Sequence, residues 1–132
     1  RPEDIIEANR LVLEVIKEEN KGIVEKPSVV IGKVKIGEGT KIKGNSVIKG
    51  PVVIGKNCYI ESSYIGPYTT LGDNTKVIKT EIEDSVVMEG SVLDGVGRIT
   101  DSLIGKGVKI QKTRRLPGSH KLLVGDFSVV EI

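Results

Sequence analysis

The sequence contains few of the residues that mark several common protein classes. One of its 132 residues is cysteine, none is tryptophan, and aromatic residues make up only 3%. The single cysteine, Cys58, excludes an internal disulfide framework and a multi-cysteine metal site, and it favours a reducing, cytoplasmic environment. Because aromatic rings are scarce, the core has to be built from Val, Ile and Leu, which favours repetitive β structure.

Strong net charge and long apolar runs are missing as well. The 20 basic and 18 acidic residues give a net charge of +2, so bulk charge predicts neither nucleic acid nor a membrane as a partner. No apolar run approaches the about 20 residues that a membrane helix requires, and the first residues do not resemble a signal peptide. The chain does not begin with Met, which predicts a fragment. Its 29% of charged residues favours a thermophilic source.

The N-terminal stretch EDIIEANRLVLEVIKEEN, residues 3–20, predicts an amphipathic helix. Pro2 suits a first helical turn, and Gly22 and Pro27 lie beyond the helix. The predicted apolar stripe comprises Ile5, Ala8, Val12 and Ile16, widened by Leu11, Leu13 and Val15. One helix cannot bury such a stripe alone, so we expect it to dock. Residues 1–28 are therefore predicted to form a linker helix and connection, and residues 29–132 a separate domain.

From Val29 onward, an aliphatic residue recurs at intervals of about six. The residue two positions earlier is small or β-branched, except at Arg114 and Leu122. Each repeat thus predicts a short strand with a small and a large inward residue. Three strands make a triangular coil, and the pattern predicts about six coils stacked as a solenoid. The aliphatic positions are 31, 36, 42, 48, 54, 60, 65, 71, 77, 82, 87, 93, 99, 104, 110, 116, 124 and 130.

The segments IGEGTK, IGKNCY, IGPYTT and LGDNTK resemble the hexapeptide-repeat family. This resemblance implies a mainly β fold, a left-handed parallel β-helix preceded by one α-helix. The repeat also explains the glycines that follow the inward aliphatic residues. No G-x-x-x-x-G-K-[ST] or G-x-G-x-x-G motif is present, so these glycines do not indicate a phosphate-binding loop.

One predicted face of the solenoid carries outward residues that are mostly apolar or small, with glycines after its inward positions. Such a lane favours a partner, and three occupants are open: the chain's own helix, a second copy, or a missing domain. The candidate interface residues are Val53, Thr70, Val86, Leu103 and Leu123.

The loop RRLPGSHKLL holds the only candidates for chemistry in the chain. His120 is the sole histidine. Because many hexapeptide-repeat acyltransferases use a histidine base, an acyl-CoA-dependent acyltransferase that acts on a sugar or amino sugar through His120 is one hypothesis. Arg114, Arg115 and Lys121 are candidates for an anion site. For both features, a solvated surface loop is the simpler interpretation.

Two further stretches resemble the long form of glucose-1-phosphate thymidylyltransferases: PEDIIEANRLVLEVI and the region from SVVMEGSVLDG to the end. That family joins a nucleotidyltransferase domain to a β-helix tail and makes dTDP-glucose from dTTP and glucose 1-phosphate with Mg²⁺. The family's catalytic signatures do not occur here, so the resemblance places substrates and Mg²⁺ in an absent N-terminal domain and gives this chain no catalytic, cofactor or metal residue. The resemblance implies that the tail forms a homo-oligomer, trimeric or higher, and stabilises the enzyme. A regulatory role of the tail stays open.

Overall fold

The computed structural model describes residues 1–113 and 116–132, and over these it consists of a helix followed by a parallel β-solenoid. Helix α1 spans Pro2–Leu13. The strands are β1 Glu19–Asn20, β2 Ile23–Val24, β3 Val29–Ile31, β4 Val34–Ile36, β5 Lys41–Lys43, β6 Val47–Lys49, β7 Val52–Ile54, β8 Tyr59–Glu61, β9 Tyr64–Ile65, β10 Thr69–Leu71, β11 Lys76–Glu83, β12 Val86–Val87, β13 Val92–Thr100, β14 Leu103–Ile104 and β15 Lys109–Gln111.

The strands stack into three faces, as the repeat predicts. Face 1 is a sheet in the order β1-β4-β7-β10-β12-β14, and all its neighbours are parallel. The second sheet covers the other two faces, because β11 and β13 continue around a corner from one face to the next. Over the described residues, the chain completes about five turns.

The core is a set of aliphatic ladders, since each inward aliphatic residue lies directly on its equivalent in the neighbouring coil. On one face, for example, Ile42 pairs with Ile60, which in turn pairs with Val77. All three are fully buried. This confirms a core built from Val, Ile and Leu.

The small inward positions form ladders of hydrogen bonds as well. The amide N–H of Ser46 donates to Ser28 Oγ at 2.9 Å, that of Ser63 to Ser46 Oγ at 3.0 Å, and that of Thr80 to Ser63 Oγ at 3.2 Å. Each hydroxyl therefore accepts the backbone N–H of its equivalent one coil further on. The preference for Ser and Thr at this position reflects hydrogen bonding as well as size.

The solenoid begins earlier than the predicted boundary at residue 29. Strands β1 and β2 already pair with β4 and β5. The register also shows that Val30, rather than Ile31, is the equivalent of the buried Ile48. The prediction that Ile31 points inward was therefore wrong by one residue, which places a strand residue on the opposite side. With Val24 and Val30 as inward residues, the six-residue interval extends back into the first coil.

The predicted sixth coil is not formed. Leu116, Val124 and Val130, expected to point inward, are exposed, and no strand occurs in the described residues beyond Gln111. The physical reason lies in the repeat itself. The bulky residues Arg114 and Leu122 occupy the positions of the small inward residue, and the interval between positions 116 and 124 is eight residues long.

Two inward threonines provide a test of the hydrogen-bonding role. Thr40 Oγ1 accepts the Cys58 N–H at 3.0 Å and donates to the Gly55 carbonyl at 2.7 Å. Thr69 Oγ1, by contrast, has no hydrogen-bond partner among the described residues. We expect Thr40→Val to lower the free energy of unfolding by about 1–3 kcal/mol, because it leaves a buried N–H unpaired. Thr69→Val is expected to be neutral or stabilising. Equal losses in chemical denaturation would contradict this assignment.

Two glycines at equivalent corners of face 1 test the space between coils. A Cβ on Gly72 would lie 2.7 Å from the backbone N of Glu89, whereas a Cβ on Gly105 would have only Val108 Cγ2 near it, at 3.9 Å. We expect Gly72→Ala to cost about 1–3 kcal/mol, since the neighbouring coil has to shift. Gly105→Ala is the matched control and should leave the thermal midpoint unchanged or raise it slightly. A small effect at Gly72 would show that the coils separate easily.

Candidate docking surface formed by the helix and face 1

Face 1 carries the predicted interface residues in one row. The register aligns Val53 with Thr70, Thr70 with Val86, and Val86 with Leu103, and all four are half-buried. Leu123 does not join the row, because it lies beyond the last strand with 87% of its surface exposed. The structure thus places four of the five candidates together on one surface.

Helix α1 lies on face 1. It contacts β12 and β14, its Asn9 bonds Thr70 in β10, and Leu13 is fully buried. The backbone at the end of the helix reaches the first coils, where Lys33 Nζ donates to the Glu14 carbonyl at 2.6 Å. The helix therefore runs opposite to the order of the coils. Its 12 residues extend about 18 Å, close to the four rung spacings of about 4.8 Å from β14 to β4.

Polar contacts orient α1 on the sheet. Asn9 Nδ2 donates to the Tyr68 carbonyl at 3.1 Å, and the Thr70 hydroxyl donates to Asn9 Oδ1 at 2.5 Å. Arg10 forms an ion pair with Asp84 and lies 5.0 Å above the Tyr68 ring. These contacts are specific in direction, which an apolar stripe alone would not be. We call this set, together with Glu14, the latch.

The latch changes the titration of two of its members. Burial raises the pKa of Asp84, and the Arg10 guanidinium opposes that rise. The Tyr68 hydroxyl donates to the Glu14 carboxylate, and this hydrogen bond is the main cause of a raised pKa for Tyr68. Sequence reasoning missed the latch. In the sequence, the latch is indicated by the polar pair Asn9-Arg10 within an apolar stretch. Nothing in the sequence around Tyr68, Thr70 and Asp84 marks these residues as its partners.

Five of the seven residues in the apolar stripe predicted to dock face away from the sheet, whereas Leu13 is buried and Ile16 is half-buried. The docked side carries Ile6, Asn9, Arg10 and Leu13, all buried or half-buried. The helix itself ends at Leu13 rather than at the predicted residue 20. We call the opposite side the outer stripe; it consists of the exposed residues Ile5, Ala8, Leu11, Val12 and Val15. The predicted orientation was wrong because hydropathy favours burial of the more apolar outer stripe. The hydrogen bonds and the ion pair of the latch turn the more polar side of the helix toward the sheet instead.

Two of the four residues predicted to carry chemistry lie within the described part of the chain. His120 and Lys121 are exposed and lie beyond β15, while Arg114 and Arg115 fall outside the described residues. The acyltransferase and anion-site hypotheses therefore stay predictions. Cys58 is buried, and burial raises the pKa of its thiol, as expected for a packing residue.

Residues 1–113 and 116–132 contain neither a cluster of potential metal ligands nor a membrane-spanning helix. No group of three or more His, Cys, Asp or Glu side chains in this part of the chain is placed to hold a metal ion. No helix there is long and apolar enough to cross a membrane.

The repeats and the three-sided stack of parallel strands make this chain a hexapeptide-repeat β-helix. The family model for "bacterial transferase hexapeptide (six repeats)" matches residues 33–63, which cover β4 to β8 with their corners. That match falls on the part of the chain where the six-residue interval is most regular.

More specifically, the chain matches the C-terminal part of glucose-1-phosphate thymidylyltransferases. It is 43% identical over 98% of its length to the enzyme of that name from Streptomyces antibioticus, and 39% identical over 98% to the one from Streptomyces griseus. It spans 36% of each of these relatives. It is also 40% identical, over all of its length and 38% of the relative, to the low-salt glycan biosynthesis nucleotidyltransferase Agl11 of Haloferax volcanii.

The ion pair of the latch is testable through the titration of Asp84. Because Arg10 lowers the pKa that burial raises, Arg10→Met should raise the pKa of Asp84 further. A group with a raised folded pKa binds more protons when folded, so its contribution to stability is complete below the unfolded pKa of 3.8 and is lost as pH rises through the folded pKa. The variant should lose more stability than the parent over that interval.

Carboxyl carbon NMR measures this pKa directly. Arg98→Met is the matched control, because Arg98 pairs with Glu83 and is not among the groups that shift Asp84. An unchanged or lower pKa of Asp84 in Arg10→Met would show that the guanidinium does not act on it.

Proposed function

We propose that this chain is the C-terminal, non-catalytic β-helix part of a sugar-phosphate nucleotidyltransferase that makes dTDP-glucose from dTTP and glucose 1-phosphate. The observation that carries the proposal is the 43% identity to a glucose-1-phosphate thymidylyltransferase across 98% of the chain. The match includes α1 as well as the β-helix, so a shared repeat alone does not account for it. The chain spans only 36% of that relative.

The chemistry of this reaction supports a non-catalytic role. A phosphate oxygen of the sugar phosphate attacks the α-phosphorus of the nucleotide, and pyrophosphate leaves. Such a transfer requires cations that neutralise several phosphates at once, commonly Mg²⁺ with Lys or Arg. The described residues offer no metal cluster, and face 1 is occupied by α1. We therefore assign the nucleotide, the sugar phosphate and Mg²⁺ to a domain N-terminal to this chain.

Activity of the complete polypeptide tests this assignment. We expect it to form dTDP-glucose and pyrophosphate from dTTP, glucose 1-phosphate and Mg²⁺, and the 132-residue chain to form neither under the same conditions. UTP and N-acetylglucosamine 1-phosphate serve as the alternative substrate pair, because UTP differs from dTTP in the base and N-acetylglucosamine 1-phosphate differs from glucose 1-phosphate in a sugar substituent. Product formation by the 132-residue chain, or none by the complete polypeptide with either pair, would refute the proposal.

We further propose that the β-helix assembles copies of the protein into a homo-oligomer, trimeric or higher. Its support is the apolar surface that α1 leaves uncovered in the first coil, where Ile23, Val29 and Ile31 are exposed. Sedimentation of the complete polypeptide should give a mass of at least three copies. Ile23→Glu with Val29→Glu should lower that mass, while Lys56→Glu should not. A monomer at every concentration, or assembly indifferent to Ile23 and Val29, would contradict this role.

A further inference from the structure

The outer stripe of α1 is an apolar surface on a rigidly held element. The exposed fractions of Ile5, Leu11, Val12 and Val15 range from 49% to 80%. Since an α-helix has 3.6 residues per turn, Ile5, Ala8, Leu11 and Val12 form one continuous band on the side away from the sheet, and the exposed Val15 follows in the turn after the helix. The latch and the buried Leu13 hold the opposite side, so the band is presented in a fixed direction.

The band is unusual because the more apolar side of the helix is the one left exposed. The docked side contains Asn9 and Arg10, each with a specific partner on the sheet. A solvent-facing side would be expected to carry charged residues instead. On the outer side, Asp4 in the first turn is the charged residue within the band, and Glu3, Glu7 and Glu14 follow one edge. An apolar surface bordered by charged residues resembles the composition of protein interfaces.

The relatives of this chain indicate what lies next to this surface. The chain matches the C-terminal part of relatives of which it spans 36%, so the larger part of each relative precedes the region that matches here. Helix α1 is the first element of the region that matches these relatives, so a domain that precedes this region would be joined to the helix that carries the outer stripe. Such a connection gives that domain a high effective concentration at this surface, higher than a separate copy reaches.

We propose that the nucleotidyltransferase domain packs on the outer stripe of α1. The helix then lies between that domain and face 1, with both of its sides buried. The inference rests on the proposed function, because it requires that domain to be present. It assigns α1 the role of setting the orientation between catalytic domain and β-helix: the latch fixes one side, and Leu11, Val12 and Val15 fix the other.

Thiol labelling provides a direct test, because the single native cysteine of this region, Cys58, is buried. Val12→Cys is placed in the complete polypeptide and in the 132-residue chain, and the modification rate is read at its own peptide by mass spectrometry. We expect labelling at position 12 to be at least tenfold slower in the complete polypeptide. Leu123→Cys, in an exposed segment, is the control and should react at the same rate in both.

A second pair of variants keeps the test independent of folding. In the complete polypeptide, Leu11→Glu with Val15→Glu should restore fast labelling at position 12, while Leu123→Glu with Val129→Glu should not. Amide exchange of β4 to β12 reports that the β-helix stays folded in every variant. Restoration by the control pair, or no restoration by the outer-stripe pair, would overturn the inference.

The remaining outcomes separate the two proposals. If the complete polypeptide makes a nucleotide sugar but position 12 reacts as fast as position 123, the interface is refuted and the proposed function stands. If no nucleotidyl transfer occurs, the proposed function fails and the interface proposal fails with it. Protection at position 12 that appears in the 132-residue chain as its concentration rises would assign the surface to a second copy and overturn the inference.

Discussion

Everything in this molecule depends on one constraint: each coil has to repeat the shape and the hydrogen-bonding groups of the coil beneath it. A rung spacing of about 4.8 Å leaves no room for a side chain that differs much in size from its neighbours in the ladder. At the small inward positions, successive coils also have to supply matching hydrogen-bonding groups, because Ser46 Oγ accepts a hydrogen bond from the N–H of Ser63. In the described residues the last strand ends at Gln111, and beyond it the sequence puts Arg114 and Leu122 at positions that the repeat reserves for a small residue.

The same constraint explains why the outside of the solenoid is free to vary. Outward residues do not stack into the core, so one row can be charged, as with Lys41 and Lys76, while another is apolar, as with Val53 and Val86. Face 1 uses this freedom to receive α1. The helix in turn meets the sheet through Asn9 and Arg10 and leaves the outer stripe exposed, so an apolar surface is presented on the helix instead of on this face of the β-helix.

Sequence alone predicted the solenoid, its three faces and the row from Val53 to Leu103, because few folds besides a triangular solenoid sustain a period of six over many coils. The sequence analysis missed the first coil, because Pro27 hid the small and large inward residues Ser28 and Val30. It also extended the fold past Gln111, where aliphatic residues keep their spacing but the small inward residue is missing at Arg114 and Leu122. The docked side of α1 was not predictable from hydropathy. Its orientation comes from Asn9 and Arg10 meeting Tyr68, Thr70 and Asp84, which are 59 to 74 residues away along the chain.

The direction of α1 has a consequence for how the molecule is made. The helix is synthesised first, yet its contacts belong to strands from β4 to β14, so it has no complete site until the intervening coils have stacked. A 12-residue helix is too short to be stable in water by itself. The helix can therefore make all its contacts only when the solenoid has grown as far as β14, and a shorter stack leaves part of its docked side without a partner.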